Sequence, residues 1–317
     1  MRIRSIFILA SIALIIASCK QNQSNSNSNS KQENNDKLTI GVMASMDYLP
    51  LAVAQQRGYF ADNNLEVIIQ KFYSANDRDA ALQSNNLDGT IIDYTGAAIQ
   101  AAGGIPLQFT SQCDGTFELI VAKDSKINSI DDLKEKKIAI SRNTVIDFCT
   151  DLTMSLAGLT TSDAEMIEIN KIPLRLEMLN NNKIDATMLP DPFATIAKSE
   201  GNRGLISMNA LNTKVTGIVF HKRVIDEKRE ALKKLYTAYN QAIKDLQTEP
   251  ITNFEDLLIK EIGFPPALVA SVSFPEYSEA QLPNEEDLVA VELWLKDKDI
   301  ISEEFDIYST IATDIFD

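Results

Sequence analysis

The sequence predicts an α/β protein built from two related lobes, and three observations predict it. From Lys37 onward, short apolar runs with strand character alternate with segments of helical character. Five residues recur 97 positions apart: Arg78, Leu82, Asn85, Asp88 and Thr90 return as Arg175, Leu179, Asn182, Asp185 and Thr187. A length of 317 residues, with 44% hydrophobic and 24% charged side chains, fits an ordinary globular chain of about two domains.

The elements follow in order. Arg2 and Arg4 precede an apolar stretch, Ile6 to Ala17, broken only by Ser11 and too short to span a bilayer comfortably. It ends in Ile16-Ala17-Ser18-Cys19, which resembles the lipobox of bacterial lipoproteins. Residues 1–19 are therefore expected to be a signal peptide, with Cys19 lipidated as the new N-terminus. Residues 20–36 are rich in Asn, Ser and Gln with nothing apolar to bury, so a disordered tether is expected. At 5–6 Å × √n it reaches roughly 20–25 Å from the membrane.

Leu38 to Val42 reads as a strand, Pro50 opens a helix where a missing N–H costs nothing, and Gly58 ends it. Leu65 to Gln70 is a second strand, followed by a helix through Ala80, Ala81 and Leu82. Ile91-Ile92 is a short buried strand, and Thr95 to Ala102 a helix stopped by Gly103-Gly104. The recurring five residues predict a second set of the same design, each with a helix, an Asn-rich C-cap, an acidic turn and a buried strand. Lys37-Leu38-Thr39-Ile40-Gly41 is matched in the same sense with Lys137-Ile138-Ala139-Ile140-Ser141.

Phe117 to Val121 reads as the strand that leaves the first lobe and Thr216 to Phe220 as the one that returns. Residues 37–121 plus 217–317 are thus assigned to lobe 1 and residues 122–216 to lobe 2, with hinge closure as the expected motion. Beyond His221 three helices are expected: Glu230 to Leu246, Asn253 to Ile262, and Asn284 to Lys296. The last buries Leu288, Val291 and Leu295, with Trp294 packing beside that face.

Composition narrows the chemistry. Thirty Lys+Arg against 45 Asp+Glu give a net charge of −15 without a basic stripe, so nucleic acid is not an expected partner. The single histidine, His221, excludes any two-imidazole mechanism and is read as a surface or hinge residue. Cys113 and Cys149 are expected to pack as small buried hydrophobes, although an oxidising compartment would permit a disulfide. There is no GxSxG, P-loop, HExxH, CxxC or dinucleotide fingerprint. Asp77/Asp79 and Asp131/Asp132 are read as solvated helix-start or turn acids rather than paired catalytic carboxylates. No catalytic residue, metal or cofactor is expected.

Several motifs in order resemble one superfamily: the taurine-, alkanesulfonate- and nitrate-binding proteins of ABC importers, with the thiamine-pyrimidine-precursor-binding (NMT1/THI5-like) proteins. The motifs are Pro50-Leu51 through Gly58-Tyr59-Phe60, Asn64 to Val67, and Arg78 to Gln83 with Asp88-Gly89. Asn143 to Ile146, Arg175 to Leu179, Leu189 to Phe193, and Leu282-Pro283 through Trp294-Leu295 continue the likeness. It implies a type 2 periplasmic-binding-protein fold, two α/β lobes joined by two hinge strands that close on a small molecule. It also implies an exported, lipid-anchored monomer that hands its ligand to an ABC permease and ATPase. The pyrimidine synthases of the superfamily use a cysteine-rich motif that this chain lacks, so their chemistry is not carried over.

Ligands of open α/β sheets sit beyond the carboxyl ends of strands, at helix N-termini. The expected contacts are Ser45, Asp47, Tyr48, Ser74, Asp93, Tyr94 and Thr95 in the first lobe. In the second they are Ser141, Asn143, Thr144 and Asp191. The acids Asp47, Asp93 and Asp191, a capping box over Thr144 to Asp147, and Arg142 as the one nearby cation weigh against an anion. Tyr48, Tyr94 and Phe148 are read as stacking surfaces. An amine-bearing N-heterocycle such as a pyrimidine or thiamine precursor is the favoured ligand. A sulfonate, taurine or nitrate held on backbone N–H groups is the alternative, with a pyrimidine-synthase-like enzyme and a sensor that signals without transport as lesser ones.

Overall fold

In the computed structural model, which describes residues 36–316, β1 (Lys37–Met43) lies inside a five-stranded sheet. The expected signal peptide, Cys19 and nearly all of the tether lie outside the described residues. Pro50 near the start of α1 (Leu49–Gln56) and Gly58 (φ +79°) just after it bracket the first helix as expected. α2 (Tyr59–Asp62) leads into β2 (Glu66–Phe72), which pairs parallel with β1. α3 (Ala75–Gln83), β3 (Gly89–Asp93), α4 (Tyr94–Ala102) and β4 (Leu107–Gln112) complete the first run. β5 (Phe117–Val121), β6 (Lys137–Ile140), α5 (Val145–Ser155), β7 (Glu165–Glu168) and α6 (Ile172–Asn180) follow. β8 (Ala186–Pro190), α7 (Phe193–Ser199) and β9 (Arg203–Ser207) close the second sheet. β10 (Thr216–His221) returns to the first, and α8 (Lys222–Glu227), α9 (Arg229–Thr248), α10 (Glu255–Leu257) and α11 (Glu285–Asp297) end the chain.

The strand orders are β2-β1-β3-β10-β4 and β7-β6-β8-β5-β9, the same arrangement twice. In each sheet three parallel strands are followed by one antiparallel strand that the chain supplies from its crossing between the sheets: β10 in the first, β5 in the second. This moves one boundary. Phe117–Val121 pairs with β8 and β9, so the crossing lies at residues 113–116 and the strand expected in lobe 1 belongs to the second sheet.

The repeat holds in detail at its helix–turn–strand core. Asn85 and Asn182 are both left-handed (φ 57° and 52°) and end their helices. The Thr90 hydroxyl donates to Gly41 O (2.8 Å), and that of Thr187 to Ala139 O (2.9 Å). These bonds correct the match of β1 with β6. Ile40 is level with Gly89 and Ile138 with Ala186, so Ile40 corresponds to Ile138 and not to Ile140. The sequence match had slipped by two residues. A strand alternates with period two, so such a slip preserves every inside/outside assignment and is invisible in the pattern.

The long amphipathic α9 buries Leu232, Leu235, Tyr236, Tyr239, Ile243 and Leu246 against α1 and the first sheet. A second apolar cluster draws on both sheets, joining Tyr94 and Phe109 to Ile140, Phe148 and Met188, with Leu288, Val291 and Leu295 of α11 packed over it. A single helix from Asn253 to Ile262 does not form. A 3-10 turn, the short α10 and a π turn (Leu258–Ile262) replace it, where Gly263 (φ +98°) donates back to Leu258 O (2.9 Å). His221 is buried at the end of β10, its Nε2 3.0 Å from Leu82 O, rather than on the surface. Cys113 and Cys149 are free and buried.

Candidate ligand-binding site

Between the carboxyl ends of the two sets of parallel strands lies a cavity with about 600 Å³ of unfilled space, part of it open to solvent. Three of its walls come from turns that follow a strand. After β1, Ser45 and Asp47 face it; at the end of β3, Asp93 does; after β6, Ser141 and Thr144 do. These five of the eleven expected contacts are brought together. The other six lie elsewhere.

Ser74 caps α3, accepting from Asp77 N (3.2 Å) and donating to its carboxylate (2.6 Å). The Thr95 hydroxyl is turned to Asp93 Oδ1, Asn143 is the left-handed residue before the α5 cap, and Asp191 accepts from Thr195 N (2.9 Å). Tyr48 and Tyr94 do not line the cavity. Tyr48 runs outward to donate to Glu261 (2.8 Å), and Tyr94 packs edge-on to Phe109 at 5.1 Å. Phe148 likewise packs edge-on to Trp294, at 5.6 Å. The stacking surfaces read from the sequence are thus core side chains. The apolar walls are instead Ile92 and Phe117, one from each sheet, with Val145 and Ile172 at the starts of α5 and α6.

Electrostatics depart further from the sequence reading. Arg142 is exposed and pairs with Glu168 (3.3 Å), while the cations that line the cavity are the repeated arginines Arg78 and Arg175. Arg78 is fully neutralised: its Nη2 lies 2.7 Å from Asp79 and 3.2 Å from Asp93. Asp79, expected to be solvated, is therefore half of an ion pair. Burial alone would push the Asp93 carboxyl up, but Arg78, the Thr95 hydroxyl and Gly96 N–H (2.8 Å) hold it below the usual carboxylate range. Arg175 has no such partner. It donates to the carbonyls of Ile169 (2.8 Å) and Asn170 (3.5 Å), its Nε is unpaired, and burial pulls its pKa down to about 10.

Asp47, the other acid of the lining, has no arginine beside it. Its Oδ1 accepts from Gly115 N (2.6 Å), and burial pushes its pKa up to about 6 against that bond and the influence of the Thr216 hydroxyl. A Cβ on Gly115 would fall 2.3 Å from Asp47 Oδ1, so only glycine lets the backbone approach this closely. Thr216, at the start of β10, presents a buried hydroxyl to the same wall and favours the charged Asp47 carboxylate, though less than burial opposes it. At the α5 end, Thr144 accepts from Ile146 N (3.2 Å) and Asp147 accepts from Asn143 N (3.0 Å), so carboxylate and hydroxyl cap that terminus together. The cavity thus offers hydrogen-bonding groups and one uncompensated cation around apolar walls, an arrangement suited to holding a small polar molecule.

Arg78, Arg175, Phe117, Asn170 and Thr216 were not among the expected contacts. The signal for the arginines was present, since the repeat placed one arginine at the same point of each lobe. A buried guanidinium recurring at one position marks the inner face of both helices.

Comparison with known proteins agrees with this architecture. A family model described as NMT1/THI5 like matches residues 45–253. A putative thiamine biosynthesis protein of Haemophilus influenzae is 29% identical over 126 residues, which are 39% of this chain and 40% of that protein's length. The alkanesulfonate-binding protein SsuA from Xanthomonas axonopodis pv. citri, bound to MOPS, superposes with a TM-score of 0.75 at 16% identity, covering 87% of this chain and 98% of that one. A ligand-binding component of an ABC-type import system from Staphylococcus aureus gives 0.76 at 11% identity, covering 89% and 98%. The desulfurization enzyme DSZB shares the fold at 0.65 and 12% identity, covering 88% and 97%. The fold is the two-lobed α/β fold of type 2 periplasmic binding proteins, and the chain belongs to the NMT1/THI5-like family.

Proposed function

We propose that this chain is an exported, lipid-anchored solute receptor of an ABC importer that captures an amine-bearing N-heterocycle of the pyrimidine or thiamine-precursor class. Asp47 is the observation that carries the reading. A buried carboxyl group at a cavity wall, with one oxygen committed to Gly115 and pKa near 6, is a receptor for ring-amine N–H donors. Phe117 supplies the one aromatic side chain of the lining, and Ile92 and Ile172 add apolar walls against which a small ring can pack. The thiamine-related name of the Haemophilus influenzae relative points the same way, and the ABC-import title of the Staphylococcus aureus structure supports delivery to a permease. Residues 1–19 and Cys19 supply export and anchoring in this reading, with one protomer as the working unit.

Family and fold leave room for an enzyme, but the cavity lining includes neither histidine nor cysteine, so binding rather than turnover is the function proposed. Calorimetry with aminopyrimidines, thiamine precursors, taurine, alkanesulfonates and nitrate tests it, with recovered ligand checked by mass spectrometry. Tight aminopyrimidine binding with the ligand returned unchanged is expected. Tight binding of taurine, an alkanesulfonate or nitrate without an aminopyrimidine response would overturn the ligand class, and chemically altered ligand would overturn the receptor.

A further inference from the structure

The two repeated arginines occupy equivalent places and differ in one respect. Arg78 has two carboxylates; Arg175 has none within ion-pair distance among the described residues. The repeat shows why. Ninety-seven positions on, Asp79 becomes Leu176 and Asp93 becomes Pro190, so the second lobe keeps the cation and has lost both counter-charges. Pro190 closes β8 as Asp93 closes β3, and both line the cavity, so the correspondence is spatial as well as sequential.

Arg175 is 1% exposed and stays charged. A guanidinium this deeply buried is ordinarily paired, because the cost of removing it from water is otherwise not recovered. Its position worsens the imbalance, since it sits in the first turn of α6, whose N-terminal dipole is itself positive. The two carbonyls that Nη1 reaches hold the side chain in place but bring no counter-charge. The cavity leaves room for one, because the side chain lines it and its Nε is unpaired.

We propose that Arg175 is the anion anchor of the cleft: the captured solute carries a carboxylate or comparable anionic oxygen group that supplies the counter-charge the second lobe lacks. The inference rests on the cavity being the solute site, and it sharpens the ligand to a two-ended molecule. The donor end lies at Asp47 in the first lobe and the anionic end at Arg175 in the second. Each lobe then grips one end, and only a closed cleft satisfies both.

Calorimetry on the mature chain with a matched pair tests this: 4-amino-2-methylpyrimidine-5-carboxylate and its neutral 5-hydroxymethyl counterpart, at fixed ionic strength. The wild type is expected to prefer the carboxylate at least tenfold. The ratio should fall to near one in Arg175→Gln. It should fall equally in Leu176→Asp, which restores the carboxylate that neutralises Arg78 in the first lobe and leaves Arg175 in place. No carboxylate preference in the wild type, or a preference that persists in either folded variant, would overturn the anchor. If neither pyrimidine binds, the heterocycle reading has failed, and thermal shifts with acetate, methanesulfonate and inorganic phosphate decide the anchor alone. Stabilisation by one of these anions that Arg175→Gln abolishes sustains it, and no Arg175-dependent response rejects it.

Discussion

At the scale of single residues, Asp47 links the cavity to stability. Its carboxyl titrates near 6 when folded and near 3.8 as an ordinary aspartate, because burial penalises the charged form. The folded state therefore binds the proton more tightly than the unfolded state does. Stability from this group is full below about pH 4 and is lost as pH rises toward 6. Asp114 and Lys214 face it and are themselves paired at 3.0 Å, so their opposing influences largely offset. Asp47→Asn should remove the dependence: relative to the wild type, the variant gains on the order of 2–3 kcal/mol between pH 4 and pH 7. Urea midpoints across that range measure it, and parallel curves for the two proteins would refute it. Gly115→Ala belongs to the same site. Its Cβ would press 2.3 Å from Asp47 Oδ1, so a loss of about 1–3 kcal/mol is expected together with weaker ligand binding. A variant with unchanged melting and affinity would show that Asp47 moves aside freely.

At the scale of elements, α5 and α11 carry a contact between the second sheet's helices and the C-terminal region. Asp151 accepts from Trp294 Nε1 (2.8 Å) and pairs with Lys298 (2.7 Å), while Phe148 packs against the Trp294 ring. Both partners of Asp151 lie on or just beyond α11, so one substitution releases both. Asp151→Ala should cost about 1–3 kcal/mol, since Trp294 N–H is left in a part-buried site without its acceptor. Equilibrium urea unfolding reads this directly. The other end of α5 has a separate test. Thr144→Ala removes the cap from Ile146 N and should cost about 1 kcal/mol, with a loss of affinity because Thr144 also lines the cavity. Wild-type stability in that variant would mean that Asp147, bonded to Asn143 N, suffices as the cap.

At the scale of the whole molecule, the two sheets exchange antiparallel strands through residues 113–116 and again before β10, which leaves two crossings at which the lobes can turn. The apolar cluster shared by both sheets and α11 lies along this joint and limits how far they part. Ligand gripped by Asp47 on one side and the second lobe on the other should draw the lobes together. The radius of gyration from solution scattering should fall at saturating ligand, and an unchanged curve would indicate a rigid receptor.

The sequence by itself determined the α/β class, the paired lobes and the strand-end rims that supply several of the cavity's walls. Strand period, the Pro50 and Gly58 signals and the helix–turn–strand repeat are local, so residues close in the chain suffice to specify them. It also held the Arg78/Arg175 pair in plain view. Tertiary structure decided the rest. Pairing placed Phe117–Val121 in the second sheet, because partner choice depends on strands distant in sequence. It also set β6 two residues from its matched register, which period-two alternation cannot reveal. Side-chain direction turned Tyr48 and Tyr94 away from the cavity and brought both arginines to its wall. Position in the chain says which turn a residue occupies. Only packing says whether its side chain faces the ligand or the core, and which charges are left without a partner.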